Sequence, residues 1–128
     1  MAIELNELEA LDLWRRSITA SVRIDAPDLS ARQMALLLTV YLTPPQHTVR
    51  GLAATLNISK PAVTRAVDRL EELGLVRRKP DENDRRSVHI QRTVKGSVFL
   101  REFGELVVRA ANTKESNSKD GEDIPSRY

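Results

Sequence analysis

The fold is decided by residues 48–93, which read TVRGLAATLNISKPAVTRAVDRLEELGLVRRKPDENDRRSVHIQRT. The spacing of the apolar residues predicts a short helix over 48–56 and a longer helix over 60–73, with a tight turn between them. Two strands are then predicted over 75–79 and 87–92, joined by a charged loop. Two helices followed by a hairpin predict a winged helix-turn-helix.

Residues with special backbone properties mark the ends of these elements. Thr48 and Ser59 are placed as N-caps, whose hydroxyl oxygens accept from unpaired backbone N–H groups of the first helical turn. Asn57 tolerates the left-handed conformation that a tight turn requires, and Gly74 is placed to end the second helix. Pro61 falls in a first turn, where its missing N–H does little harm. These signals agree with the apolar spacing.

Further helices are predicted on both sides of this region. One covers residues 5–22 and carries a single apolar stripe. The next begins after Ser30, where Gln33 completes a capping box, and it is apolar nearly all round, so we expect it to be central. Thr93 is placed to cap a last helix. The expected class is mostly α (α+β), a winged helix-turn-helix with a two-stranded wing and flanking helices.

The composition is typical of one small domain. The chain has 128 residues, of which 41% are hydrophobic and 30% charged, enough for a packed core. We expect one domain over 1–111 and a disordered polar tail over 112–128, where apolar periodicity stops. The N-terminus has no secretory pattern, and the longest apolar run, residues 34–38, is too short to span a bilayer. We therefore expect a cytoplasmic protein without membrane contact.

Positive charge is concentrated where the helix-turn-helix and the hairpin are predicted. Residues 48–103 hold 12 basic and 7 acidic side chains, a net charge of +5, whereas the flanking segments carry −2 and −1. Phosphate binding requires such a concentration. An ordinary solvated surface is the alternative explanation.

The polar side of the 60–73 helix carries candidates for base contact. A helix of this kind fits the major groove of DNA. Arg65 and Arg69 lie four residues apart and so share one face, and arginine can bond guanine through two parallel hydrogen bonds. Thr64 suits a base edge or a thymine methyl group. The alternative for either arginine is an ion pair with one of three carboxylates, those of Asp68, Glu72 or Asp84.

The loop over 81–87 carries a second set of candidates. Arg85 and Arg86 suit the minor groove or the phosphates, and the alternative is a solvated hairpin tip. We expect Asp84 to orient an arginine. The residues predicted to contact DNA are Ser59, Lys60, Pro61, Ala62, Thr64, Arg65, Arg69, Asp84, Arg85 and Arg86.

The sequence carries no pattern typical of an enzyme, a metal site or a cofactor site. It contains no Cys, and its two histidines, His47 and His89, are isolated from each other and from any HExxH spacing. The acidic loop residues Asp81 and Glu82 lack the glycine and distal glutamate of a calcium loop. No phosphate-binding glycine loop or nucleophile motif is present. We therefore expect no enzyme activity, metal or cofactor.

Three motifs resemble the MarR family of bacterial regulators. They are NISKPAVTR at 57–65, LEELGLVRR at 70–78 and DENDRR at 81–86. The sequence LEELGLV alone is common to many winged helices, but joined to an Asp-x-Arg wing, here Asp84 and Arg86, it points to MarR-like proteins. The resemblance covers about residues 30–103.

The resemblance implies a homodimer on a near-palindromic operator in double-stranded DNA. In that family the recognition helix enters the major groove, a wing arginine reaches the minor groove, and the first and last helices form the dimer. Many members also bind a small phenolic or similar effector between the dimer and DNA-binding parts. Carried over to this chain, the predicted dimerisation residues are Leu8, Leu11, Trp14, Ile18, Phe99, Phe103 and Leu106.

Two departures from the family pattern bear on these expectations. The C-terminal helical part is short, which reduces the usual dimer interface and leaves less material for an effector pocket. Gly51 stands where the family usually has a larger residue.

The sequence thus predicts a sequence-specific transcriptional regulator. One alternative is a winged-helix module that binds protein, which would expose an apolar recognition face. Another is a DNA-binding protein of replication or plasmid maintenance, which would use the same fold.

Overall fold

The computed structural model describes residues 3–113. Within that range the elements, in chain order, are α1 (Glu7–Arg23), α2 (Ala31–Leu42), β1 (His47–Thr48), α3 (Val49–Leu56), α4 (Lys60–Glu72), β2 (Val76–Pro80), β3 (Val88–Arg92) and α5 (Val94–Asn112). Residues 27–101 form one compact unit, here called the winged-helix unit. Residues 3–26 and 102–113 belong to a second, here called the helical unit. None of the described helices is long and apolar enough to cross a membrane.

The predicted helix caps are confirmed in the winged-helix unit. Ser30 Oγ accepts from the N–H of Gln33 at 3.1 Å, and Gln33 Oε1 accepts from the N–H of Ser30 at 2.9 Å, so the capping box is complete. Ser59 Oγ accepts from the N–H of Ala62 at 3.2 Å at the start of α4. Thr93 Oγ1 accepts from the N–H of Gly96 at 2.9 Å at the start of α5. Local hydrogen bonding therefore sets where these helices begin.

The turn between α3 and α4 has the predicted backbone. Asn57 has φ 53° and ψ 47°, the left-handed conformation that reverses the chain between the two helices. Gly74 has φ 77° after the end of α4, a conformation that favours glycine. These two residues set the angle between α3 and α4 and the exit of the chain toward β2.

The core of the winged-helix unit is built around α2, as predicted. Leu36, Leu37 and Val40 of α2 are fully buried. The inner face of α4 packs against them together with residues of α3 and the sheet, and the full buried cluster is Leu36, Leu37, Val40, Leu52, Val63, Ala66, Val67, Leu70, Leu75, Val76 and Ile90. Because α4 is anchored along one whole face, its opposite face is held toward solvent.

The sheet contains the predicted two-stranded hairpin and one strand that the sequence did not predict. Strands β2 and β3 pair antiparallel with Arg78 opposite Ile90, and together with the loop between them they form the wing. The additional strand, β1, has two residues and pairs with β3 through His47 opposite Ile90, giving the order β1-β3-β2. A two-residue strand is too short to show the alternation that identifies strands in a sequence.

Tyr41 joins α2, the start of β2 and the start of α5. Its hydroxyl group donates to the carbonyl oxygen of Leu75 at 2.6 Å and accepts from the N–H of Thr93 at 2.8 Å. Gly96 lies so close that a Cβ atom there would overlap both Tyr41 Oη and the Leu75 carbonyl oxygen. Arg92 donates to the carbonyl oxygen of Val40 at 3.0 Å and so pairs one of the free carbonyls at the end of α2. This joint fixes the root of the wing.

The helical unit differs from the sequence prediction at two helix ends. Helix α1 starts at Glu7 rather than residue 5, because Asn6 and Glu9 form a capping box. Helix α5 continues to Asn112, the first residue of the predicted disordered tail. The rest of that tail, apart from Thr113, lies outside the described residues. Arg16 donates to the carbonyl oxygens of Ala110 and Thr113 and so pairs the C-terminal end of α5.

Candidate nucleic-acid interface

Helix α4 has a buried side and an exposed side, as its amphipathic pattern predicts. Every third or fourth residue points into the core, and the residues between them point to solvent. The exposed residues at its start and along its outer side are Ser59, Lys60, Pro61, Thr64, Arg65, Asp68 and Arg69. The structure therefore brings most of the predicted DNA-contacting residues of this segment onto one surface, here called the recognition face.

Ala62 does not belong to the recognition face. Its side chain is only 8% exposed and lies on the buried side of α4, and its backbone N–H is used by Ser59. The predicted contact of Ala62 with DNA therefore has no exposed side chain to support it. The apolar spacing that includes Ala62 with Val63 and Ala66 already indicated the buried side.

Arg65 and Arg69 differ in their partners. Among residues 3–113, the Arg65 guanidinium has no ion pair or hydrogen bond. Arg69 Nη1 lies 3.7 Å from Glu72 Oε2, and both side chains are largely exposed. A loose surface pair of this kind contributes little free energy, so Arg69 can leave Glu72 for a stronger partner. Of the three carboxylates expected as alternatives, Glu72 is the one that Arg69 meets.

Arg78 of β2 crosses from the wing to α4, a contact that the sequence did not predict. Its side chain points toward α4 and donates to Glu71 Oε1 at 2.6 Å and to Asp68 Oδ1. Its backbone N–H donates to Glu71 Oε2 at 2.9 Å. The available signal was strand alternation, which puts Arg78 on the same side of β2 as the buried Val76. Arg78 thus ties the wing to the recognition helix.

The wing loop is organised by Asp84. Asp84 Oδ1 accepts from the N–H of Arg86 at 3.0 Å, and the N–H of Ser87 donates to the Asp84 carbonyl oxygen at 3.0 Å. As expected, Asp84 orients an arginine, but it does so through the backbone N–H of Arg86. The guanidinium groups of Arg85 and Arg86 have no partner in the described part of the chain. Both arginines are exposed and available at the tip of the wing.

The base of the wing loop is held by Asp81. Asp81 Oδ2 lies 3.0 Å from His89 Nε2, and Asp81 Oδ1 accepts from the N–H of Asn83 at 2.8 Å. The hydrogen bond to His89, followed by that from Asn83, lowers the pKa of the Asp81 carboxyl below its usual range. The acidic residues of this loop thus shape the hairpin. Residues 3–113 contain no group of histidine and acidic side chains that could hold a metal ion.

Further exposed cations surround these positions. Arg50 on α3 was not among the predicted contacts, although its charge was counted in the basic segment. The exposed basic side chains of the winged-helix segment 48–93 that have no partner among residues 3–113 are Arg50, Lys60, Arg65, Lys79, Arg85 and Arg86. Most of the basic side chains of this segment are therefore not neutralised by ion pairs within the described part of the chain.

Comparison with known proteins finds one family over most of the winged-helix unit. Residues 28–87 match the model of the MarR family. The chain is similar to a mutant of MarR from E. coli crystallised with operator DNA, with 26% identity and a TM-score of 0.61 over 77% of this chain. That match spans 65% of the MarR chain.

Two further structures extend the comparison to nearly the whole chain. The transcriptional regulator BldR from Sulfolobus solfataricus is 25% identical, with a TM-score of 0.57 over 91% of both chains. YusO from Bacillus subtilis is 19% identical, with a TM-score of 0.66 over 88% of this chain and 81% of its own, and it shows the likeness of fold. The family match shows that residues 28–87, most of the winged-helix unit, belong to the MarR family, and the structural likenesses extend the similarity of fold beyond that segment.

Proposed function

We propose that this chain is a sequence-specific DNA-binding transcriptional regulator that acts as a homodimer. The observation that carries the proposal is the recognition face, with its unpaired Lys60 and Arg65, on a helix that Arg78 ties to a wing bearing the unpaired Arg85 and Arg86. Cationic side chains without internal partners are the groups that neutralise phosphates and release counterions. The E. coli MarR mutant similar to this chain was crystallised with operator DNA, which supports the same partner here.

In this proposal α4 enters the major groove. Arg65 then bonds a guanine edge, and Thr64 contacts a neighbouring base or a thymine methyl group. Ser59 uses its hydroxyl oxygen to cap α4, and its hydroxyl hydrogen remains able to donate to a phosphate beside Lys60 at the helix N-terminus. The start of α4 would then position the helix, and its middle would read the sequence.

The wing supplies the second contact. Arg85 and Arg86 sit on a short loop whose backbone is fixed by Asp84, so both guanidinium groups can extend into a neighbouring minor groove or onto its phosphates. A minor groove narrowed by A·T pairs has an enhanced negative potential that attracts arginine. The wing therefore adds affinity and a preference for narrow-groove sequence beside the major-groove site.

The exposed stripe of α1 supports the homodimer. Leu8, Leu11, Trp14 and Ile18 are between 37% and 55% exposed, although they lie at helical spacing on one side. An apolar stripe of this kind is typical of a surface that another protein covers. A second copy of the chain would cover it, and Phe103 and Leu106 of α5 stay predicted parts of the same interface. Phe99 packs instead against the core of the winged-helix unit, so we remove it from the predicted interface.

Two copies related by a two-fold axis place two α4 helices on one face of DNA. Half-sites about 10 bp apart, one helical turn, fit that arrangement and require a near-palindromic operator. We place the action in the cytoplasm and assign no catalytic activity. A small-molecule effector, which many members of the family bind, stays a prediction for this chain.

The protein-interaction alternative is disfavoured by the recognition face. A winged helix that docks on protein would expose apolar side chains where this helix has Lys60, Thr64, Arg65 and Arg69. The replication or plasmid-maintenance alternative uses the same contacts with DNA. It differs in where the bound sites lie, beside origins rather than promoters.

The test is selection of bound sequences from a pool of random duplexes by the intact chain. The expected result is enrichment of a near-palindrome, with matches in the host genome upstream of genes. Matches confined to replication origins would favour the maintenance protein. The proposal is overturned if no sequence is enriched at any salt concentration at which the chain is folded.

A further inference from the structure

The wing and the recognition helix are cross-linked by one side chain. Within residues 3–113, every side-chain hydrogen bond between α4 and the wing involves Arg78. Its guanidinium group reaches Glu71 and Asp68, and it also lies 3.4 Å from the Thr64 carbonyl oxygen. These three acceptors span two turns of α4, so the contact extends along the helix instead of touching it at one point.

The chemistry of Arg78 suits a clamp. Its side chain is 27% exposed, and it is held between two carboxylates, of which Glu71 also accepts from the Arg78 backbone N–H. A planar guanidinium can satisfy two carboxylates at fixed angles, whereas the ammonium group of lysine is a point charge on a flexible stem. The hydrogen bonds from the backbone and side chain of Arg78 lower the pKa of the Glu71 carboxyl. The Glu71 carboxyl is thus held in the charged form at neutral pH.

Arg78 also changes the charge that α4 presents. Asp68 is an exposed residue of the recognition face, four residues after Thr64, and a free carboxylate there would repel the phosphates of a bound duplex. Arg78 neutralises Asp68 from the side of the wing and leaves Arg65 unpaired. The same side chain therefore fixes the wing and removes a repulsive charge from the recognition face.

We propose that Arg78 is a positioning residue for DNA binding, which clamps the wing to the recognition helix so that Arg65 and Arg86 are presented as one rigid surface. The inference rests on the proposed DNA-binding function. A wing held in place can bind a second groove without a further loss of conformational entropy, whereas a loose wing must first be ordered. The contribution of Arg86 to affinity therefore depends on Arg78.

The first experiment tests the clamp without DNA. Amide hydrogen exchange is measured for the wild-type chain, for Arg78→Gln, and for Arg77→Gln as a matched control. Arg77 lies on the same strand, and within the described range 3–113 its side chain hydrogen-bonds only Gln91, across the wing. In Arg78→Gln we expect the wing amides of Asp81 and Ser87 to exchange about tenfold faster, with the core amides of α2 unchanged, because local opening is sensitive to local contacts. In Arg77→Gln the wing amides should exchange as in the wild type.

The second experiment is a double-mutant cycle on the duplex that the wild-type chain selects from a random pool. The loss of affinity caused by Arg86→Ala is measured in the wild-type and Arg78→Gln backgrounds. We expect the Arg86→Ala loss to shrink about tenfold when Arg78 is replaced, within the range for directly coupled residues. In the Arg77→Gln background it should keep its full size. If Arg78 acted only on overall stability, the ratio of the affinities with and without Arg86→Ala would be the same in both backgrounds, because the folded fraction cancels within each background.

The outcomes separate the clamp from the proposed function. Unchanged wing exchange in Arg78→Gln overturns the clamp. Faster exchange with an unchanged Arg86→Ala ratio overturns the positioning role while the DNA-binding function stands. If the wild-type chain selects no duplex, the proposed function fails together with the positioning role, and hydrogen exchange alone then decides whether Arg78 holds the wing.

Discussion

At the scale of single residues, the arginines of this fold divide into structural and available ones. Arg78, Arg92 and Arg16 are occupied by carboxylates or by helix-end carbonyls. Arg65 and Arg86 carry guanidinium groups without a partner among the described residues. The two groups cannot be separated by residue type or by net charge. What separates them is whether the backbone aims the side chain at an acceptor of the same chain.

Arg65→Ala is expected to weaken binding to the selected duplex more than binding to a scrambled duplex. A lost bidentate guanine contact removes roughly 1–3 kcal/mol of base discrimination, whereas non-specific binding loses one charge. Fluorescence anisotropy with both duplexes measures the two losses. Arg23→Ala is the matched control, because Arg23 is an exposed arginine outside the winged-helix unit. Equal losses on both duplexes would contradict base contact by Arg65.

Gly96→Ala is expected to destabilise the protein, since its Cβ would overlap the Tyr41 hydroxyl and the Leu75 carbonyl oxygen. Overpacking of this kind costs roughly 1–3 kcal/mol or more, measured as the free energy of unfolding in urea. The control is Gly104→Ala, where the added methyl group meets nothing within 4 Å. Better helix propensity should make that variant about 0.5–1 kcal/mol more stable. Equal free energies of unfolding for the two variants would contradict the close packing of Gly96 against Tyr41 and Leu75.

At the scale of elements, α4 and the wing depend on each other. Helix α4 is fixed by its buried side, whereas the outer part of the wing is fixed by Arg78 and by the loop hydrogen bonds of Asp81 and Asp84. A change at the wing tip should therefore alter DNA binding, and a change in the Arg78 contacts should alter stability.

Arg86→Ala is expected to lower the salt dependence of DNA binding. Each neutralised phosphate contributes about 0.9 to the slope of log K against log salt on duplex DNA, so the slope should become shallower by about one. Affinity measured at a series of salt concentrations gives the value. The same change at Arg77, which bonds Gln91 on the wing, should alter the slope less. An unchanged slope in Arg86→Ala would mean that Arg86 does not contact a phosphate of the bound duplex.

The clamp is expected to weaken in acid. The pKa of Glu71 is lowered in the folded chain by the hydrogen bonds from Arg78, so its contribution to stability is fully present above the ordinary value of 4.5. That contribution is lost as the pH falls through the folded pKa. Glu71→Gln should therefore reduce the free energy of unfolding at pH 7, by roughly 1 kcal/mol or less because solvent screens the pair, and the difference should vanish below the folded pKa. Glu72→Gln, whose partner Arg69 is 3.7 Å away, should show no such difference.

Most elements were predictable from the sequence because their determinants are local. Ser30 with Gln33, Ser59 and Asn57 act within three residues of the ends they mark, and the apolar spacing of α4 identified its buried face. Strand β1 was missed because two residues carry no alternation. The Arg78 contacts were missed because they join residues seven and ten positions apart, across a helix end and a strand start. Ala62 lies on the buried side of α4, which its position in the apolar repeat already indicated.

At the scale of the whole molecule, the central question is how two recognition faces are brought together. Helix α1 exposes Trp14 and its apolar neighbours, a surface unfavourable in water unless another chain covers it. A dimer through α1 and the end of α5 would bury this stripe and pair two winged-helix units. In the proposed dimer, the winged-helix unit would contact DNA and the helical unit would hold the two copies together.

Trp14→Asp is expected to convert the dimer to a folded monomer. A buried interface tryptophan commonly contributes 2 kcal/mol or more, so the dimer dissociation constant should rise about 30-fold or more. Sedimentation equilibrium measures it, and circular dichroism checks that helix content is kept. Leu42→Asp is the control, because Leu42 is an exposed apolar residue at the end of α2, outside this stripe. A wild-type monomer, or a dimer indifferent to Trp14→Asp, would contradict the predicted interface.

The most direct test of the central claim is methylation interference on the selected duplex, because one reagent marks both grooves. Dimethyl sulfate methylates guanine N7 in the major groove and adenine N3 in the minor groove, the edges that α4 and the wing should read. We predict interference from guanines inside two half-sites and from adenines beside them. The guanine signal should be lost in Arg65→Ala and the adenine signal in Arg86→Ala. Interference confined to one groove, or a pattern that neither substitution changes, would contradict the claim that α4 and the wing together read DNA.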